Sequence, residues 1–117
     1  MTTQEIATKM VAYNREHNYE ACYDELYADG AISIENWEPR PEVYTGLAAI
    51  KEKSVKWVAT VQEIHSTSCS EPLVADNSFA ITFTMDITYK EMGRMRMTEM
   101  AIYKVKDGKV VAEEFFG

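Results

Sequence analysis

The stretch KVKDGKVVAEEFFG, residues 104–117, alternates polar and apolar side chains and then doubles them, running Val110-Val111, Glu113-Glu114 and Phe115-Phe116. A frayed terminal segment is normally polar, so a strand this apolar has to be tied into a sheet with material on both faces. Successive side chains of a strand point to opposite faces, so one glutamate of the adjacent pair points where the other does not. The Asp107-Gly108 corner admits two registers: a two-residue turn, or a three-residue Lys106-Asp107-Gly108 loop with the glycine left-handed. The first puts Glu114 and Phe116 on the inner face. The second puts Val111, Glu113 and Phe115 there, with Val105 opposite Lys109 and Ala101 opposite Glu113. The second is preferred because it gathers the bulkier apolar set on one side, and a one-residue slip would flip every side chain. Ala101 then leaves room for Glu113, whose carboxyl is expected to be desolvated beside Phe83, Phe115 and Tyr103.

Working backwards, SFAITFTMDITY (78–89) alternates strictly, with Phe79, Ile81, Phe83, Met85, Ile87 and Tyr89 on one face and mostly Thr, Ala and Asp on the other. A turn at KEMGR, with Gly93 left-handed and Lys90 facing Arg94, pairs Met85 with Glu99, Phe83 with Ala101 and Ile81 with Tyr103. Glu99 and Glu113 then share the inner face, and two buried carboxyls near one another would raise at least one pKa. Met100, Ile102, Val110 and Phe116 fall on the outer face. So much apolar surface predicts a homodimer joined through that face.

The first half of the chain reads as helices. Thr2 with Glu5 forms a capping box, and Ile6, Met10, Tyr13 and His17 recur at helical spacing to about Asn18. Tyr19 to Tyr27 repeat the pattern until an Asp29-Gly30 breaker. AISIEN is a short strand and WEPRPEVYTG a loop. Leu47, Ile50, Ser54, Trp57, Val58 and Val61 mark a third helix with Thr45 as its N-cap.

Composition narrows the function. One domain spans 1–117, 46% hydrophobic, with net charge −7 from 12 basic and 19 acidic residues. No Lys/Arg cluster carries the footprint of a nucleic-acid binder, so no nucleic-acid partner is expected. No run approaches the ~18 apolar residues of a membrane span, nor the apolar core of a signal peptide, so no membrane partner and a cytoplasmic location are expected. Cys22 and Cys69 lack a CxxC spacing and read as free thiols. His17 and His65 are isolated, and no metal site or cofactor motif is present in the sequence.

The order of two helices ending in LYADGA, a short strand, YTGLAAIKEK opening a third helix, and strands closing on YKVKDGKVVAEEFF resembles the nuclear-transport-factor-like superfamily, which includes the ketosteroid isomerases and the SnoaL-like polyketide cyclases. The resemblance spans nearly the whole chain and rests on turn and helix-start signatures. It implies an α+β, cystatin-like cone: three N-terminal helices packed on a curved antiparallel sheet enclosing an apolar pocket. It also implies candidate chemistry. The ketosteroid isomerases carry a carboxylate base at the end of the first short strand, where Glu35 lies. Their helix-one tyrosine falls near Met10 or Val11, with Tyr13 one turn later, and their second carboxylic acid falls at Ala101, with Glu99 two positions earlier. The SnoaL-type cyclases use polar residues near the end of the last strand, where this chain has Glu113.

Glu35, Glu99 and Glu113 are therefore the candidate catalytic groups. Tyr13, Trp37, Trp57, Phe83, Met85, Tyr103 and Phe115 are the candidate ligand-binding side chains, with Trp37 at the pocket mouth. Two classes of function follow for a small, largely apolar partner molecule. One is an isomerase, cyclase or hydrolase that needs no cofactor and uses carboxylate acid–base chemistry. The other is a non-catalytic ligand-binding or dimeric interaction domain.

Overall fold

A computed structural model describes residues 1–117. The elements run α1 (Thr3–Arg15), α2 (Tyr19–Leu26), β1 (Tyr27–Asn36), β2 (Glu42–Thr45), α3 (Leu47–Thr60), β3 (Val61–Cys69), β4 (Leu73–Val74), β5 (Ser78–Tyr89), β6 (Gly93–Lys106) and β7 (Lys109–Phe116). Three helices pack on a sheet ordered β2-β1-β7-β6-β5-β3, with β4 paired to β5. The fold is the expected α+β cone with one topological difference. β1 runs parallel to β7, so the sheet is mixed rather than wholly antiparallel. That pairing joins the first strand to the last and sets Ser33 beside Glu113 and Glu35 beside Phe115.

The capping box of α1 forms in full: Thr2 Oγ1 accepts from the Glu5 amide, and the Glu5 carboxylate accepts from the Thr2 amide. Its buried stripe is Ile6, Ala7, Met10 and Val11. α1 stops at Arg15, short of Asn18, because His17 takes a positive φ of 55° and breaks the ladder. α2 ends earlier than its pattern suggests. Tyr27 is already extended, and Asp29-Gly30 lie inside β1, in the irregular stretch between the Tyr27 and Ile32 pairings with β7. A dipeptide read as a helix breaker thus serves as a strand irregularity. α3 is not capped by Thr45, which pairs with Ile32 in β2; its N-cap is Gly46 at φ 93°. Val58, expected inward, is 51% exposed, because α3 turns Ile50, Lys53, Ser54 and Trp57 toward the sheet instead.

The β5–β6 hairpin keeps its inner row of side chains while changing its partners. In β5–β6 the pairs are Met85 with Met97, Phe83 with Glu99 and Ile81 with Ala101, two residues away from expectation. The Lys90 amide donates to the Thr60 carbonyl at the end of α3, so Lys90 leaves the ladder and Gly93 (φ 77°) pairs with Tyr89. A slip of two preserves the face of every residue.

The β6–β7 corner is the two-residue turn, with Asp107 at φ 51° and Gly108 at φ 74°. Both central residues are left-handed, as a type I′ hairpin demands. By itself this turn would carry Glu114 inward. However, Val105 pairs with Val110 while Lys104 pairs with Ala112, so Val111 is an extra residue, and the bulge returns Glu113 to the inner face. Glu113 accordingly sits opposite Tyr103, not Ala101. Val110, expected on the outer face, is fully buried in the core because the two-residue turn sets it opposite Val105, ahead of the bulge.

The core fills the narrow part of the cone with Ile6, Met10, Leu26, Phe79, Ile81, Val110 and their neighbours, and Phe79 stacks on Tyr103 with centroids 4.8 Å apart. No helix is long and apolar enough to cross a membrane.

Candidate functional site

Between the helices and the inner face of the sheet lies a cavity of about 840 Å³, within the roughly 300–1,000 Å³ usual for small-molecule sites. Trp37, Trp57, Phe83, Met85, Tyr103 and Phe115 all line it, and so do Glu35, Glu99 and Glu113. Tyr13 does not. Its hydroxyl donates to Glu25, which also holds Lys9, so Tyr13 braces α1 against α2 away from the cavity. Tyr13, three residues after Met10, is rotated by roughly 60° from it about the helix axis, and the wall is lined instead by Met10 and Asn14.

The most buried charged group is Glu113, whose side chain is only 2% exposed. Its carboxylate accepts hydrogen bonds from the Tyr27 hydroxyl and from Ser33 Oγ at 2.8 Å. Lys53 Nζ lies 3.6 Å from it, 3.4 Å from Glu35 and 2.8 Å from Ser33 Oγ. The same ammonium stands 5.1 Å from the Tyr44 ring centroid and 5.0 Å from that of Phe115. Glu113 therefore does not sit alone among apolar rings as expected; each of its carboxylate oxygens meets a donor. Desolvation is offset by partners, as a buried charge requires.

Glu99 is different. It is half-buried on the inner face of β6, and no hydrogen bond or ion pair from the protein reaches its carboxylate. Burial, reinforced by the charge of Glu35 and only partly relieved by Lys53, holds its carboxyl above the ordinary carboxylate range. The interacting acid pair is thus Glu99 with Glu35, not Glu99 with Glu113. The phenols stay protonated: burial first, then the Glu113 charge, pushes Tyr27 and Tyr103 well above their usual value. Burial also pushes the free Cys22 thiol up to about 12, with the Glu113 charge adding to the effect.

Among the lining residues, the ring of Trp37 lies against Gly117 and the indole N–H of Trp57 donates to the Tyr89 hydroxyl at 3.2 Å. His17 and His65 bond to Thr67 and Thr88. No three histidine, cysteine, aspartate or glutamate side chains converge as a metal-holding group.

Lys53, Tyr27, Ser33 and Tyr44 are site residues that reading the sequence did not single out. For Lys53 a signal existed: it lies three residues after Ile50 and four before Trp57, on the inward face of α3.

Over residues 1–117 the chain matches the model of the SnoaL-like domain. It belongs to that family. Among solved structures, a SnoaL-like polyketide cyclase-type protein from Mesorhizobium loti superposes with a TM-score of 0.92 at 32% identity, over 100% of both chains. A nuclear-transport-factor-2-like protein from Burkholderia thailandensis gives 0.82 at 16% identity over 99% of this chain and 90% of its own. A cystatin-like-fold protein from Xanthomonas campestris gives 0.78 at 15% identity, over 99% and 90%. At those identities the last two speak for the fold alone. No curated protein sequence matches.

Proposed function

We propose that this SnoaL-like domain binds a small, largely apolar molecule in the cone and acts on it by carboxylate acid–base chemistry, as an isomerase, cyclase or hydrolase would. The observation that carries the reading is Glu99: a carboxyl without a protein partner, facing an aromatic-walled cavity, with its proton affinity raised. A carboxyl raised in this way takes up a proton more readily than a solvated one and can exchange it with a bound molecule. Glu35, tethered by Lys53, is the second carboxylate within the same space. Glu113 is assigned a supporting role, since its partners are all committed to holding it; it fixes Lys53, and through Lys53 it orients Glu35.

That same commitment favours a second reading, in which the domain binds its ligand without transforming it. Native mass spectrometry of the purified protein, followed by incubation of the captured molecule with wild type and Glu99→Gln, separates the two. Conversion by wild type that is lost in the variant supports chemistry; an unchanged molecule in both supports binding. A cavity that captures nothing would overturn both readings.

We further propose that the domain is a homodimer joined through the outer sheet face. Met100 at 40% exposure, with Ile102 and Phe116 half-buried, supports this. The free thiols Cys22 and Cys69 suit a reducing compartment, in keeping with a cytoplasmic location.

A further inference from the structure

The cavity walls hold four groups able to carry positive charge, and each is already engaged. Lys53 is shared between Glu35 and Glu113, Lys56 pairs with Glu52 at 3.0 Å, Arg15 pairs with Glu71 at 3.2 Å, and His17 bonds to Thr67. Glu99 is the one acidic group facing the space with no basic partner. With the cavity open, water solvates it.

An apolar molecule filling the cavity strips that water away, and a carboxylate left dry under a neutral apolar surface opposes binding. The ligand itself has to supply what the protein withholds. Resting on the binding reading above, we propose that the molecule this cavity takes carries a basic or cationic nitrogen, seated against Glu99 and the aromatic walls, with its apolar body extending toward Phe83 and Tyr103.

Three features favour a cation over a neutral donor or an anion. The Lys53 charge is spread over two carboxylates and two ring faces, leaving little to attract an anion. Trp37 and Trp57 line the same space, and an indole π face attracts an ammonium and not a carboxylate. The net charge of −7 biases the long-range field toward cations.

The chain's two tryptophans both line the cavity, so their fluorescence reports occupancy. Three probes share a phenyl ring and a short chain but differ in the head: 2-phenylethylammonium, 2-phenylethanol and 3-phenylpropanoate. Titrated at about pH 7.5 up to about 5 mM, the ammonium is expected to bind at least about tenfold tighter than the alcohol, with the carboxylate weakest. In Glu99→Gln the preference for the ammonium over the alcohol should collapse to within about twofold. The inference is overturned if the alcohol or the carboxylate binds as tightly as the ammonium, or if the preference survives in Glu99→Gln. If none of the three binds, the reading of the cavity as a site for small, largely apolar molecules fails, and the cation preference fails with it.

Discussion

Replacing Lys53 by methionine keeps the length of the side chain and removes the one positive charge that faces both Glu113 and Glu35. Lys53 is 15% exposed and Glu113 2% exposed, so solvent screens this pair weakly. At an effective dielectric of ~20, opposite unit charges 3.6 Å apart interact by about 4.6 kcal/mol. Relief of the ammonium's own desolvation offsets roughly half of that, leaving a net loss of about 2–3 kcal/mol for Lys53→Met. Most of the loss is the penalty of leaving Glu113 charged and short of a partner. Glu113→Gln in the Lys53→Met background should therefore recover more than half of it. Urea melts of wild type, both single variants and the double variant form a double-mutant cycle, with an expected coupling of about 2 kcal/mol for Lys53–Glu113. The corresponding cycle with Glu35→Gln should give less than about 1 kcal/mol, because Glu35 is 23% exposed and keeps access to water. A Lys53–Glu113 coupling below about 0.5 kcal/mol, or a larger coupling to Glu35 than to Glu113, would refute the view that Lys53 is held for Glu113.

Tyr27→Phe deletes a charge-assisted hydrogen bond to the same buried carboxylate and should cost about 1.5–3 kcal/mol in a urea melt, and clearly more than Tyr13→Phe, whose partner Glu25 is only partly buried. The Glu99 carboxyl is raised in the folded state, so folding favours its protonated form: stability is fully present below its unfolded pKa of about 4.3 and is lost as pH rises through the folded value. Glu99→Gln should therefore gain stability relative to wild type on going from pH ~4 to pH ~7, and melts at the two pH values that show no relative gain would contradict the raised carboxyl. Ile102→Asp places a charge in the proposed dimer face and should yield a monomer by sedimentation; a wild type already monomeric at micromolar concentration rejects the dimer.

The strand half of the molecule was legible because Phe79 to Tyr89 alternate without a fault, and that period is a direct image of a sheet with one buried face. The pairing partners were not. Shifting β6 against β5 by two residues leaves each face with the same occupants, so only the bond from Lys90 to the end of α3 decides between the registers. The environment of Glu113 was hidden for another reason. Tyr27 and Ser33 are 86 and 80 residues away along the chain, brought alongside by the parallel β1–β7 pairing, and alternation within a strand says nothing about which distant strand becomes its neighbour. Lys53 was masked by the rule that places lysines in water; its helical position pointed inward, and burial became tolerable only because two carboxylates and two aromatic rings were waiting. Tyr13 failed the opposite test, being aromatic, on the correct helix, and turned to the wrong side of it.

The bulge at Val111 sits just before a sequence that repeats itself, Glu-Glu followed by Phe-Phe. Sliding that tetrad by one residue exchanges Glu113 for Glu114 and Phe115 for Phe116, so each face still presents one glutamate followed by one phenylalanine. The end of the strand therefore tolerates a hairpin shorter by one residue. Loss of a single residue at the tip, ruinous for most strands, would here return a carboxylate to Tyr27 and Ser33 and a ring to Lys53. Doubling makes the terminal strand tolerant of error in its most variable segment, at the expense of carrying no register information of its own.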